Sequence, residues 1–415
     1  MNFLHKSILL LTLLYGAISH AVTSKTIETF LVISDIHLNA TSAHTMDFSP
    51  RTASVLNDLD VATYQKMIHT LSTDIQAGLI AKPKFILLLG DLVGHRQRST
   101  DAIIASETIV FETLKQEFPD TPVLYDFGNN DSLVENYGPF QTSLTDNAVR
   151  SPVDVMKKVW PNGGFLSSGV FCARQHFTYP CLLQTKNTKG YYSAYLDQKL
   201  RLIALNSVLF SKQSPQSEKE RDLQLAWIKQ ELDSAERNHE SVLIAMHIPP
   251  GYNLYRAWFW SNTTFWMDSS LYTFMDLLQT HHTSVIGGLA GHTHKDELKI
   301  VQDTSKNALM GIYINPALSS SHGNAPAVRS YELQQDNTSH WNLTNYQTYY
   351  FTQHADNIKI KLLYDFRKTY CSAFEAAMTD CLDNVSLEKM QSYFSAGNPH
   401  YVETIKVPEN RYLYP

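Results

Sequence analysis

The sequence predicts a domain of mixed strands and helices in which a buried β-sheet is covered by helices. Short continuous apolar runs, such as Phe85–Leu89, alternate along the chain with segments such as Ala62–Ala77, whose apolar residues recur at helical spacing. Strands that are apolar on both faces belong to sheets covered on both sides. Apolar residues make up 43% of the 415 residues, so the chain can build a large core.

The predicted elements follow in order along the chain. Strands are predicted at Thr29–Ser34, Phe85–Leu89, Val123–Tyr125, Ser241–Met246, Val285–Ala290, Ile312–Asn315 and Arg329–Leu333, with a hairpin at Tyr191–Tyr195 and Leu200–Leu205. Helices are predicted at Ala62–Ala77, Ala102–Glu117, Leu223–Ala235, Ile358–Tyr370, Ser372–Asp380 and Ser386–Phe394. Because the last three are all helical, we divide the chain into a main domain, residues 22–345, and a C-terminal helical subdomain, residues 346–415.

The first 21 residues have the features of a signal peptide. A weakly basic start precedes the apolar run Ile8–Ala17, and Ser19-His20-Ala21 supplies a small-x-small cleavage pattern. A buried N-terminal helix is the alternative. The run is too short to span a bilayer comfortably, and no later stretch is apolar enough, so no transmembrane anchor is expected. We expect a mature chain beginning near Val22 that is secreted or extracytoplasmic, in a periplasmic, extracellular or lysosome-like compartment.

Four cysteines are present, and export favours disulfides over free thiols. We predict that the sequence neighbours pair, Cys172 with Cys181 and Cys371 with Cys381. Zinc binding is the alternative, but neither pair has the close spacing of a zinc knuckle. The net charge of -6, with no basic run, argues against a partner that is a nucleic-acid duplex.

Five short motifs that can supply metal ligands directly follow predicted strands. They are Asp35-Ile36-His37, Gly90-Asp91, Gly128-Asn129-Asn130-Asp131, His247 and Gly291-His292-Thr293-His294. Ligands gather at the C-terminal ends of strands in α/β sheets. If the backbone is extended, the outer residues of each x-spaced pair point the same way and can share one metal. Carboxylates, a carboxamide and imidazoles suit zinc, manganese or iron.

The ordered motifs resemble those of the calcineurin-like metallophosphoesterases, and within them the acid sphingomyelinase and sphingomyelinase-like phosphodiesterase branch. The closer resemblance rests on Ala245–Gly251 (AMHIPPG), Gly291–Glu297 (GHTHKDE) and Asn324–Glu332 (NAPAVRSYE). It runs from about Thr29 to Glu332, and so identifies residues 22–345 as a catalytic domain. No segment resembling the saposin domain of acid sphingomyelinase precedes it, which weakens the expectation of membrane sphingomyelin as substrate.

The resemblance implies an α+β or α/β fold, namely a two-sheet β-sandwich flanked by helices, to which the C-terminal helical appendage is added. It also implies two divalent metal ions, for which zinc is the first expectation and manganese or iron the alternatives. The first would be held by Asp35, His37 and His294, and the second by Asn129, His247 and His292, with Asp91 bridging both.

We therefore expect a secreted phosphoesterase that hydrolyses phosphodiester or phosphoanhydride bonds of nucleotides or related small molecules by a metal-bridging hydroxide. Polyphosphatase and sphingomyelin phosphodiesterase are the alternatives. The alternative to an enzyme is a catalytically inactive binding protein that keeps the fold. It is disfavoured because all seven ligand positions are filled. The partner is a small-molecule phosphate ester or anhydride, and a monomer is assumed.

Asn130 departs from the family pattern, which has histidine there as the usual proton donor to the leaving group. The Gly-Asn-Asn-Asp form resembles that of vacuolar endopolyphosphatases, so activity is still expected. Asn129 and Asn130 are taken as catalytic residues together with His95, which stands four residues after Asp91 and has a suitable pKa for a donor. Asp131, or no acid at all, are the alternatives to His95.

Two further groups of residues admit a functional and a structural interpretation. Aromatic residues crowd the segment after His247 and form either a lip that stacks on a substrate or a hydrophobic subcore: Tyr252, Tyr255, Trp258, Phe259, Trp260, Phe265 and Trp266. Four arginines near the motifs could receive phosphates, although each is more often solvated: Arg96, Arg98, Arg256 and Arg329.

Overall fold

The computed structural model describes residues 27–97, 99–142, 149–161, 171–172, 179–186, 189–253, 263–372, 377–400 and 412–413. The expected signal peptide at residues 1–21 therefore lies outside the described residues. No helix within those ranges is long and apolar enough to span a bilayer.

Fourteen strands and seven α-helices are found in the described residues. The strands are β1 (Ile27–Ile33), β2 (Ile86–Leu88), β3 (Val123–Tyr125), β4 (Cys181–Lys186), β5 (Tyr191–Asp197), β6 (Leu200–Ala204), β7 (Ser241–Ala245), β8 (Val285–Ala290), β9 (Glu297–Gln302), β10 (Ala308–Ile314), β11 (Ala327–Gln335), β12 (Trp341–His354), β13 (Asn357–Asp365) and β14 (Tyr412–Leu413). The helices are α1 (Val61–Gln76), α2 (Thr100–Glu117), α3 (Pro152–Val159), α4 (Glu218–Arg237), α5 (Asp268–Thr280), α6 (Phe366–Tyr370) and α7 (Leu387–Tyr393), with 3-10 turns at Val55–Asn57, Ser207–Phe210 and Met378–Asn384.

The strands form two mixed sheets. The first sheet has the order β13-β12-β11-β1-β2-β3, and the second has the order β14-β9-β10-β8-β7-β6-β5-β4. Each contains a parallel part, β1-β2-β3 in the first and β6-β7-β8-β10 in the second. The carboxyl ends of these parallel strands are where the sequence places its polar motifs, so the topology provides the edge that a site requires.

Alternating strand residues divide the core into two parts. Phe30 and Val32 of β1 pack between the sheets with residues of the second sheet such as Leu243, whereas Leu31 and Ile33 face the other way and share a cluster with Tyr64 of α1. Side chains alternate across a strand, so a strand buried on both faces must be apolar throughout. This explains the continuous apolar runs and confirms the prediction of a two-sheet sandwich flanked by helices.

The predicted helix at Ile358–Tyr370 is wrong over most of its length. Asn357–Asp365 is strand β13, which pairs antiparallel with β12, and only Phe366–Tyr370 is helical. The apolar residues Ile358, Ile360 and Leu362 alternate with lysines at a period of two, which is a strand pattern. Residues 373–376 of the predicted helix at Ser372–Asp380 lie outside the described residues, and the boundary between residues 345 and 346 stays a prediction.

Both predicted disulfides are confirmed, between Cys172 and Cys181 and between Cys371 and Cys381. Cys381 is fully buried and belongs to the core between the sheets. The second disulfide therefore ties the short C-terminal helices to the main core.

Candidate metal centre

Seven side chains from the sequence motifs meet at one edge of the sandwich. Asp35 and His37 follow β1, Asp91 follows β2 and Asn129 follows β3, so the first sheet supplies four of them. The second sheet supplies His247 after β7 and both His292 and His294 after β8. All but His292 are buried, and His292 is partly exposed.

The backbone at these residues is not extended. Asp35, His37, Asp91, His292 and His294 have φ values of 50°, 47°, 53°, 71° and 61°. Left-handed backbone is uncommon for residues with a Cβ, and it concentrates at functional sites where the surrounding structure enforces it. The expectation that an extended backbone aligns Asp35 with His37 is therefore wrong. The two side chains converge where the left-handed backbone at each residue redirects the loop after β1.

Two glycines permit the close approach of these loops. A Cβ at Gly128 would lie 2.1 Å from the backbone nitrogen of Asp91, and one at Gly291 would lie 2.1 Å from Oγ of Ser34. Any other residue at either position would push neighbouring ligand loops apart.

The first group of ligands surrounds Nε2 of His37. This atom lies 3.0 Å from Nε2 of His294, 3.5 Å from Oδ2 of Asp91 and 3.9 Å from Oδ1 of Asp35. Oδ1 of Asp35 is in turn 3.5 Å from Nε2 of His294. Four potential donor atoms thus face one point, which could hold one cation.

The second group surrounds Nε2 of His247. It lies 3.0 Å from Oδ1 of Asn129 and 3.3 Å from Oδ1 of Asp91. His292 also offers a ring nitrogen within 4.8 Å of the ligand atoms of Asp91 and His247. Asp91 therefore presents Oδ2 to the first group and Oδ1 to the second, which is the geometry of a bridging carboxylate.

Hydrogen bonds at the far ring nitrogens orient the imidazoles. Nδ1 of His37 lies 3.1 Å from the carbonyl oxygen of Val93, and Nδ1 of His247 lies 2.7 Å from that of Leu89. A carbonyl accepts only from a protonated nitrogen, so Nδ1 carries a proton in both rings and Nε2 faces the site. The amide of Asn129 is fixed in the same way, because its Nδ2 donates to Oδ1 of Asn136 at 2.8 Å.

Metal binding needs neutral imidazoles and ionised carboxylates, and three of the four histidines meet this requirement in the metal-free protein. Burial lowers the pKa of His37 and His294 well below the usual value and lowers the pKa of His292 to about 3, with nearby imidazoles adding to the effect. Burial also raises the pKa of Asp35 to about 7. His247 is the exception: burial lowers its pKa, but the carboxylate of Asp91 outweighs this and raises it to about 10. Without a cation, His247 is thus the positive partner of Asp91.

Asp131 joins the loops after β2 and β3. Its carboxylate accepts hydrogen bonds from the backbone nitrogens of Asp91, Leu92 and Gly128 at 2.9, 2.6 and 2.9 Å and from the hydroxyl of Tyr125 at 2.8 Å. The side chain therefore positions the bridging ligand.

Asn130, the residue that departs from the family pattern, contacts the bridging carboxylate. Its backbone nitrogen donates to Oδ1 of Asp91 and its side-chain nitrogen donates to Oδ2, both at 2.8 Å. His95 lies across the cleft and stacks on His37 with ring centroids 3.9 Å apart. Nδ1 of His95 is 2.7 Å from Oδ1 of Asp58, and its backbone nitrogen donates to Oδ2 at the same distance.

A cavity of about 230 Å³ opens over these groups. It is also lined by Phe265, one of the aromatic residues interpreted as either a substrate lip or a subcore, and by residues that no sequence motif indicated: Asn136, Tyr137, Gln213, Asn253 and His322. Phe265 and Tyr137 lie edge-on to the ring of His292, at centroid distances of 5.1 and 6.5 Å. None of these residues belongs to a strand-end motif, so sequence spacing gave no signal for them.

Where they are described, the aromatic residues after His247 and the arginines near the motifs can be assigned to a structural or a functional role. Trp266 is fully buried and donates to the carbonyl of Ile248 at 3.0 Å, so it belongs to the core, while Tyr255, Trp258, Phe259 and Trp260 lie outside the described residues. Arg329 is fully buried against Asp296 and is not a phosphate receptor. Arg98 and Arg256 lie outside the described residues, and Arg96 is exposed.

The donor set fits two divalent cations. Within the described residues, three groups that could hold a metal ion are His37 with His95 and His294, Asp91 with His247 and His292, and Asp35 with His37 and Asp91. Imidazole nitrogens 3.0 Å apart and two buried carboxylates are unfavourable together unless positive charge lies between them. Mixed oxygen and nitrogen ligands suit transition-metal cations, and their identity is not fixed by the geometry.

Comparison with known proteins supports this assignment. Residues 28–296 match the family described as calcineurin-like phosphoesterase. The chain is 24% identical over 372 residues to the cyclic GMP-AMP phosphodiesterase SMPDL3A of Rattus norvegicus, which covers 84% of this chain and 77% of the relative. It is 26% identical over 298 residues to sphingomyelinase phosphodiesterase C of Dictyostelium discoideum, covering 67% and 59%.

Among solved structures, a dimetal phosphatase from Danio rerio aligns with a TM-score of 0.44 and 14% identity, covering 81% of this chain and 97% of that one. The family match includes strands of both sheets and contains all seven proposed ligand positions. The chain therefore belongs to the calcineurin-like phosphoesterase family and is a metal-dependent phosphoric ester hydrolase with the acid sphingomyelinase-like phosphodiesterases among its relatives.

Proposed function

We propose that this protein hydrolyses phosphodiester or phosphoanhydride bonds of nucleotides or related small molecules at the two-metal centre. The observation that carries the proposal is the placement of Asp91, whose two carboxylate oxygens face separate imidazole groups. Asp35, His37 and His294 would hold one cation, and Asn129, His247 and His292 the other. Two such cations, when bound, lower the pKa of a water molecule between them and offset charge on the phosphoryl oxygens.

The residues of the chain have separable tasks in this proposal. The backbone carbonyls behind His37 and His247 accept from Nδ1 and so direct the Nε2 atoms toward the cations, and Asp131 fixes the loop that carries Asp91. The Asn130 side chain donates to Asp91 and thereby holds the bridging carboxylate in place. The rings of Tyr137 and Phe265, which line the cavity beside His292, would receive the organic part of the substrate.

His95 is the proposed proton donor to the leaving group. An alkoxide leaves slowly without a proton, and a positioned acid contributes roughly 10²–10⁴-fold in rate. Burial lowers the pKa of His95, but the hydrogen bond and charge of Asp58, together with Asp91 and Asp35, raise it above the ordinary value. The ring would therefore hold a proton near neutral pH. The alternative, in which no acid is used, restricts the enzyme to leaving groups that depart unprotonated, such as phosphate.

The lining of the cavity supports nucleotide-like diesters as the first substrate class. Its described residues beyond the metal ligands are amides, imidazoles and aromatic rings, which suit a base and a singly charged diester. Relatives named as phosphodiesterases of cyclic GMP-AMP and of sphingomyelin support diester hydrolysis in general. Polyphosphate is the second candidate, and Asn130 is the observation in its favour.

A substrate panel on purified protein tests the proposal. It contains a cyclic dinucleotide, nucleoside triphosphates, a choline-headgroup diester, sphingomyelin and polyphosphate, each assayed with zinc, manganese and iron. We expect turnover of at least one nucleotide substrate and highest activity with zinc. Turnover of polyphosphate alone would favour the second candidate, and an inactive protein that binds two metal equivalents would favour a binding protein.

We also propose that the protein is exported and processed near Val22. The two disulfides support an oxidising compartment. Terminal sequencing of protein recovered from outside the cytoplasm checks this, and a mature chain that retains Met1 would contradict it.

A further inference from the structure

His322 reaches the cleft from a loop that carries none of the predicted ligands. The loop connects β10 with β11, and the ring lines the same cavity as Asp91, His95 and Asn130. It lies edge-on to His294, with ring centroids 4.3 Å apart. Unlike the fully buried residues His37 and His247, His322 is partly exposed and lines the cavity.

The loop around His322 is held firmly on both sides. The backbone carbonyl of His322 accepts a hydrogen bond from Nζ of Lys295 at 3.2 Å, and that of Ser321 accepts one from the nitrogen of Ser54 at 2.8 Å. Asn324 donates to three carbonyl groups within the loop at 2.9–3.2 Å. The imidazole is therefore presented by a fixed backbone, as a residue that must meet a substrate at a defined position requires.

His95 completes the arrangement. Nε2 of His322 lies 3.4 Å from Nε2 of His95, whose other nitrogen is held by Asp58. The two rings therefore form a pair beside the metal ligands, with their Nε2 atoms turned toward each other at the cavity wall. A phosphoryl oxygen entering beside this pair could accept a hydrogen bond from either ring.

We propose that His322 is a further catalytic residue, whose N–H donates a hydrogen bond to a phosphoryl oxygen of the bound substrate. This deepens the proposed phosphoesterase function and rests on it. The family pattern places an imidazole at position 130, but here Asn130 directs both of its nitrogens to Asp91. His322 supplies an imidazole to the same cavity from another loop. The role requires an N–H group and no change in the charge of the ring.

The experiment compares His322→Ala, His322→Gln and the control His69→Ala in the full-length protein, using a nitrophenyl phosphodiester and the best substrate of the panel. His69 is an exposed residue on α1, paired with Glu117. Loss of one donor to a charged phosphoryl oxygen costs roughly 10²–10³-fold in kcat. We expect about this loss in His322→Ala with both metals retained, recovery to within roughly 10-fold in His322→Gln because an amide also donates, and no change in His69→Ala.

Each other outcome overturns the inference. Unchanged kcat in His322→Ala would show that the ring does not touch the substrate. Equal loss in the alanine and glutamine variants would show that an N–H donor is not what matters, and loss of a metal equivalent would assign the residue to the metal centre. Failure of the proposed function is distinguishable, because the wild-type protein would then hydrolyse none of the phosphodiesters.

Discussion

The loop that precedes β9 contributes to two buried polar clusters, and these clusters balance their charges differently. The metal cluster consists of the seven proposed ligands. The Arg329 cluster consists of Arg329, Asp296, Thr348, Tyr346 and Tyr364. Arg329 is paired with Asp296, donates to the carbonyl of Ile314 at 2.8 Å and to Thr348 at 3.0 Å, and lies 4.2 Å from the ring centroid of Tyr346.

The difference separates a structural cluster from a functional one. In the Arg329 cluster every charge has its partner in the chain, since the carboxylate of Asp296 also accepts from Tyr364 at 2.8 Å. In the metal cluster two carboxylates face imidazoles that are mostly neutral, and burial holds the pKa of Asp35 near 7. A buried carboxylate with so strongly raised a pKa, beside neutral imidazole nitrogens only 3.0 Å apart, indicates a site for a cation that the chain itself does not supply. The motif Gly291–Glu297 contributes to both clusters, because it contains the proposed ligands His292 and His294 as well as Asp296.

The largest expected effect is in the metal cluster. Asp91→Asn removes the one charge shared by both groups, so we expect loss of at least one metal equivalent and a fall in kcat of about 10³-fold or more, because metal stabilisation of the phosphoryl charge amounts to several kcal/mol. Metal analysis and turnover of the best substrate measure this. Two full metal equivalents with normal turnover would remove Asp91 from the bridging position.

The Arg329 cluster should respond in the opposite way. Asp296→Asn leaves a fully buried guanidinium without its counter-charge, which costs about 3–5 kcal/mol in the free energy of unfolding. Denaturant unfolding measures it, and metal content of the folded fraction should be unchanged. The double variant Asp296→Leu with Arg329→Met is the control, since removing both charges should recover much of the stability. A double variant as unstable as the single one would contradict this explanation.

The second disulfide sharpens the same comparison, because Cys381 shares the inter-sheet core with Tyr364 and Tyr346 of the Arg329 cluster. Replacing Cys371 and Cys381 by serine opens a short loop and should lower the free energy of unfolding by about 2–4 kcal/mol, without changing the metal content. The corresponding change at Cys172 and Cys181 is the comparison variant. Thiol titration of the denatured wild-type protein should find no free thiol, and four reactive thiols would contradict both pairings.

The smallest effect concerns Asp35 in metal-free protein. Its folded pKa of about 7 lies above the ordinary value of 3.8, so the folded state holds a proton that the unfolded state releases. Stability from this group is therefore lost as pH rises from about 4 to about 7. After chelation, we expect Asp35→Asn to melt a few degrees above wild type at pH 8 and to show a smaller difference at pH 5.

The exposed Asp222 provides the control, because Asp222→Asn should leave the melting temperature unchanged at both pH values. With metals restored, the order should reverse, since wild-type Asp35 then has a cation to face. A metal-free Asp35→Asn protein that melts below wild type at pH 8 would show that the carboxylate stabilises the fold on its own.

Much of this organisation follows from local sequence patterns. Continuous apolar runs locate the central strands, and polar motifs after them indicate the site, because parallel strands bring their carboxyl ends together. The strand β13 was mistaken for a helix because the period-two alternation of Ile358, Ile360 and Leu362 is short and is followed by a true helix at Phe366–Tyr370. Its assignment depends on pairing with β12, which local propensity does not contain.

The residues that complete the cleft could not be found in this way. His322 and Asp58 lie in loops distant from His95 in sequence, and they meet it only in the folded chain. The left-handed backbone at Asp35 and His37 could not be predicted either, since it is imposed by neighbouring loops and not by the residues themselves. Arg329 shows the reverse error, because proximity to a motif in sequence suggested phosphate binding where the fold uses the residue as a buried counter-ion.

The division of the ligands between the sheets has a consequence for how the protein would depend on metal supply. Asp91 follows a strand of one sheet and His247 a strand of the other, so a cation held by both is a cross-link between the two layers. Such a site forms only when the layers have docked, and its binding free energy adds to the stability of the docked state. The amount of folded enzyme would then rise and fall with the available metal. The metal concentration in the surroundings would determine how long the protein survives as well as how active it is.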